Sequence, residues 1–128
     1  MRAELERRLA ERWPHWFGID GDSRHMLLPF GFEHGDGWFD LVWRLCDRLE
    51  SVVAAAEKET GLSFQVLQVK QKFGGVRFYT NYSNDAISRL VETAQTESIH
   101  ICEVCGGHGR RRSTDWVETK CEEHANAS

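Results

Sequence analysis

Four residues near the end of the chain have the types and spacing of a metal site. Cys102 and Cys105 stand at i and i+3, Cys121 and His124 repeat that spacing, and fifteen residues separate the two pairs. A tight turn lets two side chains three positions apart converge on one ion, so two such turns supply four donors. Three thiolates and an imidazole suit Zn²⁺ by softness and by tetrahedral geometry. Gly106 and Gly107 follow the first pair, where a knuckle needs positive φ and close approach of backbone amides to sulfur. Four protein ligands leave no position for water or substrate, so the expectation is one structural Zn²⁺ per chain and not a reaction centre. His100 lacks the paired spacing and His108 has it only with Cys105, which Cys102 already pairs, so both rank below His124 as the fourth ligand.

The elements around these turns follow from hydrophobic periodicity. Leu5, Leu9 and Trp13 recur at helical spacing over residues 2–12, and Pro14 stops that helix. Trp13, Trp16 and Phe17 form an aromatic cluster, read as a staple onto the core. Residues 18–37 are loop-rich, with a short strand or turn over Arg24 to Phe30. The strongest helix runs over 38–60. Phe39, Val42, Cys46, Leu49, Val53 and Ala56 trace its apolar stripe, widened by Trp38, Leu45 and Val52; Asp36 is its expected N-cap and Gly61 its C-cap. Cys46, outside the ligand pairs, is then a buried thiol packing as a small hydrophobe.

Residues 63–82 read as a β-hairpin, with strands Phe64–Phe73 and Val76–Tyr82 joined by Gly74-Gly75. That turn pairs Phe73 with Val76 and Leu67 with Tyr82 on an apolar face, and puts Lys70, Lys72, Arg77, Tyr79, Gln68 and Asn81 on the other. A third helix spans 84–97, with Ile87, Leu90, Val91 and Ala94 inward. A short strand over 99–101 leads into the first knuckle. Arg110–Arg112 is expected at a turn tip, residues 115–120 form a strand, and Trp116 is placed to shield the thiolates. The predicted fold class is α+β: helices packed on a hairpin, a core over 1–98 and a zinc-ribbon-like module over 99–128.

Two basic groups are candidate partner-binding surfaces. Lys70, Lys72, Arg77 and Tyr79 would put cations and one stacking ring on a sheet face, and Arg110, Arg111 and Arg112 would extend from a metal-fixed loop. His25, His34, Asp36 and Asp40 are the residues of a possible catalytic region, but their spacing matches no pattern with a mechanism. The chain has no G-x-S-x-G, phosphate-cradling glycine loop or H-E-x-x-H. The expectation is therefore a non-enzymatic protein.

The bulk numbers narrow the partner. Of 128 residues with net charge −4, residues 1–60 carry twelve acids against eight Lys or Arg, while the remainder is balanced. Bulk field does not draw such a chain to nucleic acid; only a local patch would. The charged N-terminus lacks a secretory apolar region, no apolar run reaches the length of a membrane span, and cysteines placed as ligands suit a reducing compartment, so a cytoplasmic location is expected.

Three stretches taken together carry a resemblance: Gly35-Asp-Gly-Trp38, Lys70-Gln-Lys-Phe-Gly-Gly-Val-Arg-Phe-Tyr79, and Cys102-x-x-Cys105-Gly with Cys121-x-x-His124. Over roughly residues 35–125 the chain resembles a group of small bacterial and bacteriophage proteins with no assigned activity. The resemblance implies a phage or mobile-element setting in the cytoplasm of a bacterial host, and no reaction. The leading expectation is a zinc-binding protein that occupies a protein partner, as an inhibitor or modulator of a host or defence complex. The alternative is a zinc-stabilised nucleic-acid-binding regulator using the basic hairpin face and the arginine loop.

Overall fold

The computed structural model describes residues 1–19, 22–26, 31–113 and 116–125, with the backbone alone for 18–19 and 22–26. It is an α+β fold of helices and small sheets. Helix α1 (Ala3–Arg12) buries Leu5 and Leu9. Pro14 ends it and at once opens α2 (Pro14–Phe17), since a fixed φ and a missing N–H suit the first helical position. Trp13, Trp16 and Phe17 are all buried. The indole of Trp13 packs edge-on to Trp43 at 4.8 Å and donates to Glu50 Oε1 at 2.8 Å, which fixes α1 to the long helix.

Strands β1 (Gly18–Ile19) and β2 (Asp22–Met26) pair antiparallel. The expected strand over 24–30 thus appears as 22–26, and residues 27–30 lie outside the described residues. Strand β3 (Phe32–Glu33) then pairs parallel with a later strand, an element the sequence pattern did not signal. Gly35 leads into a 3₁₀ turn (Asp36–Trp38) and helix α3 (Phe39–Thr60). The predicted stripe is buried together with Trp38 and Leu45 of its flanks, Leu41 is added to it, and Val52 is half-buried. Gly61 closes the helix at φ 73°, its N–H on Glu57 O. Asp36 is not the N-cap: it accepts the Arg2 amide at 2.7 Å and pairs with the Arg2 guanidinium, and no side chain caps α3. Burial pushes the Cys46 thiol up, ahead of Glu50 and Asp47, so it stays a neutral core residue.

The hairpin forms with a different turn. Strands β4 (Val66–Lys72) and β5 (Gly75–Thr80) pair Lys72 with Gly75, Lys70 with Arg77 and Val69 with Phe78. The turn residues are therefore Phe73 and Gly74, both at positive φ (54° and 80°), in place of Gly74 and Gly75. The register differs from the expected one by two residues, an even number, so the two faces stay as sorted. Val69, Val76 and Phe78 face the core, while Lys70, Lys72, Arg77 and Tyr79 share the other side. Two apolar residues are exceptions. A register irregularity between Val66 and Gln68 turns Leu67 outward, and Phe73 at the turn tip is 61% exposed.

Helix α4 (Asp85–Ser98) is capped by Asn84, whose side chain accepts from the Ile87 amide at 2.9 Å. It lies along β5, where Ser98 Oγ receives the Val76 amide. Strands β6 (Arg110–Ser113) and β7 (Val117–Lys120) form the last hairpin. Arg110–Arg112 is thus a strand and not a turn tip, and the stretch 99–101 supplies only one bridge, Ile101 to His108. Among the described residues no helix is long and apolar enough to cross a membrane.

A bulky residue at positive φ is costly where Asn would sit easily. Replacing Phe73 by Asn should stabilise the fold by about 0.5–1 kcal/mol, read as a higher denaturant midpoint. An unchanged or lower midpoint would show that the Phe73 ring contributes to folding.

Candidate metal centre

The four predicted ligands come together. The donor atoms of Cys102, Cys105, Cys121 and His124 all lie within 4.8 Å of one another. Cys105 Sγ and Cys121 Sγ are 3.8 Å apart, Cys102 Sγ and His124 Nδ1 are 3.8 Å apart, and Cys121 Sγ and His124 Nδ1 are 3.2 Å apart. A tetrahedral ion with bonds of about 2.0–2.3 Å needs donors separated by roughly 3.3–3.8 Å. The arrangement can therefore hold a metal ion, and it is the one such group of three or more ligands among the described residues. His100 and His108 are exposed and stand outside it.

Backbone geometry builds each turn. The Gly106 amide returns to Cys102 O at 2.8 Å with Gly106 at φ 79°, and the Gly107 amide points at Cys105 Sγ from 3.4 Å. The His124 amide closes the second turn on Cys121 O at 3.2 Å. Burial pushes the Cys102 thiol up, but the backbone amides of Cys105, Cys121 and Val104 outweigh it and bring it down to about 6. At Cys105 the Gly107 amide pulls downward, while burial and the neighbouring Cys102 and Cys121 thiols push upward and prevail. Adjacent thiols that cannot all ionise are relieved by a divalent cation between them. The donor set thus fits a soft or borderline metal.

The turns are locked to the core through two glycines. The Gly37 amide donates to Glu103 O at 2.8 Å, and the Gly35 amide meets Glu103 Oε2 at 3.2 Å. A Cβ on Gly35 would fall 2.1 Å from Glu103 O, and one on Gly37 would fall 2.2 Å from Cys102 O. Trp38 Nε1 donates to Ile101 O at 2.8 Å. On the other side Thr119 Oγ1 donates to Gly74 O, and Gln71 Nε2 donates to Val117 O at 2.8 Å. The sequence reading missed this join; its signal was Gly35-Asp-Gly37 just before an apolar helix.

The remaining predicted sites are placed as follows. Lys70, Lys72, Arg77 and Tyr79 do share a face, with Lys70 Nζ 5.9 Å from the Tyr79 ring. The three arginines split: Arg110 and Arg112 reach Glu122 at 3.8 and 3.2 Å, while Arg111, one residue apart on the strand, lies over Gly74. Trp116 does not cover the thiolates. It is 75% exposed and lines a cleft with Phe73. Of the possible catalytic region, Asp36 is paired with Arg2, Asp40 is exposed on α3, and the His25 side chain lies outside the described residues. His34 is buried against the Phe32 and Trp38 rings, its Nδ1 2.8 Å from Gly35 O and its Nε2 without a partner.

No protein-family model, no curated protein and no solved structure matches this chain.

Burial lowers the His34 pKa from 6.5 to about 4, against the upward pull of Gly35 O. The unfolded chain takes up this proton near pH 6.5, and the folded chain refuses it until about 4. Stability therefore falls as pH drops through that window, by about 3 kcal/mol in all. Urea unfolding across the window should show a shallower acid limb in His34→Phe than in the parent. Parallel limbs would assign the acid sensitivity elsewhere.

Proposed function

We propose that this chain is a non-enzymatic zinc-binding protein that acts by occupying a protein partner. The observation that carries the reading is the donor set: four protein donors within 4.8 Å of one another would fill a tetrahedral ion and leave it no position for water or substrate. Zn²⁺ would hold residues 102–124 in place, since that stretch has few buried apolar residues of its own. The partner is a protein because the most exposed aromatics, Phe73 and Trp116, stand together beside the metal module. A role as modulator of a host or defence complex, in the cytoplasm of a bacterial host, extends this proposal on the strength of the three-motif resemblance alone.

Metal analysis of the purified chain should find about one zinc per chain, lost in Cys105→Ser and His124→Ala. Chelation should abolish amide-exchange protection over the final hairpin and leave α3 protected. A metal-free chain with that hairpin equally protected would overturn the zinc assignment. Capture from lysate, with and without nuclease, should return the same protein partners in both arms.

One observation favours a second reading, a nucleic-acid-binding regulator. Among the described residues Lys70, Lys72 and Arg77 have no carboxylate partner, so their charge is available to phosphates. That reading expects salt-dependent binding to DNA or RNA, weakened by Lys72→Glu or Arg111→Glu with a shallower salt slope. No gel shift at low salt would remove it.

A further inference from the structure

A cleft of about 570 Å³ opens between the β4–β5 turn and the metal module. Its walls include Glu33, Glu103 and Glu118, with Lys72, Phe73 and Trp116. We infer that this cleft receives an arginine side chain from an extended segment of a protein partner. The inference rests on the protein-partner reading above and names the chemistry of the contact.

Three features select a cation. The first is unmet negative charge. Glu33 accepts only from Gln68 Nε2, at 3.0 Å, and has no cationic partner among the described residues. Glu103 is 8% exposed and receives the Gly35 amide; the Lys120 and N-terminal ammonium groups act on it from beyond ion-pair distance. The nearby ammonium groups reach this buried carboxylate only at a distance, and an incoming guanidinium would add a directly bonded cation. Glu118 differs in being paired with Lys120 at 3.0 Å.

The second feature is aromatic. The cleft presents two large exposed rings, and a planar guanidinium both stacks on a ring and bonds a carboxylate in two places. The Phe73 ring already attracts a cation, with Lys72 Nζ 5.7 Å from its centroid. Lys72 thus occupies part of the position that an incoming arginine would take, and competes with it.

The third feature is the backbone at Phe73. Its φ of 54° opposes a bulky side chain, and the ring remains 61% exposed. Folding is served better by Asn or Gly there. A strained residue with an exposed ring has its use in contact with something outside the chain. Both rings depend on the join to the core, because Thr119 bonds Gly74 O and so ties the two hairpins together at this point.

The test is an NMR titration of the zinc-loaded full chain with capped Ala-Arg-Arg-Ala, against the same peptide carrying citrulline for arginine. Citrulline keeps the shape and removes the charge. The arginine peptide should move the Trp116 indole N–H and the Val117 and Glu118 amides saturably in the millimolar range, and the citrulline peptide should not. Glu103→Gln and Glu33→Gln should each weaken binding several-fold while zinc content stays unchanged. Phe73→Asn should lose binding even though it folds more stably. Lys72→Gln should tighten peptide binding about two-fold or more, whereas the nucleic-acid reading requires the same change to weaken binding to an oligonucleotide. Equal shifts from both peptides, shifts mapped away from Trp116, or weaker peptide binding in Lys72→Gln would overturn the inference. Those results would leave the zinc assignment standing, because metal content is measured separately.

Discussion

The arrangement depends on one close approach of backbone to backbone. Residues 35–37 run against the first metal turn so tightly that neither Gly35 nor Gly37 has room for a Cβ. Two amides of that stretch are spent on Glu103, and the indole of the next residue, Trp38, is spent on Ile101 O. Trp38 also sits fully buried at the start of α3, so the helix that organises the core and the turn that carries two metal ligands share one anchoring side chain. Movement of the metal turn would strip buried polar groups of their partners, a cost well above that of an ordinary surface contact.

Much of this was legible before any coordinates. The stripe of α3 reads directly from the sequence because its period is unbroken over about five turns. The ligand quartet reads because its chemistry is local: each pair sits on its own turn, and the two pairs together supply four donors. The hairpin faces survived an error in the turn because sheet sidedness depends on parity alone, and the register differs by two.

What was not legible depended on contacts between distant residues. Strand β3 is two residues long and pairs in parallel across a separation of thirty-seven, as Phe32 with Val69, so no local pattern marks it. The turn at Phe73-Gly74 contradicts local preference, which favours Gly74-Gly75; Gly74 O is held by Thr119 from the last hairpin. Arg110–Arg112 looked like a polar loop because its strand partners are also polar, and the charges are absorbed in part by Glu122. Asp36 looked like a helix cap because its position suited one, yet Arg2, thirty-four residues away, claims it.

The join between Gly35 and Glu103 spans sixty-eight residues of chain, whereas Cys102 and His124 are only twenty-two apart. Closing the longer loop carries the greater entropic cost, and everything between its ends must already be arranged for the glycines to meet the turn. The ligand quartet needs none of that arrangement. Gathering the four donors and seating the module on the core are therefore separable closures. The short closure gathers the four candidate ligands, and the long one sets their first turn against the start of the long helix.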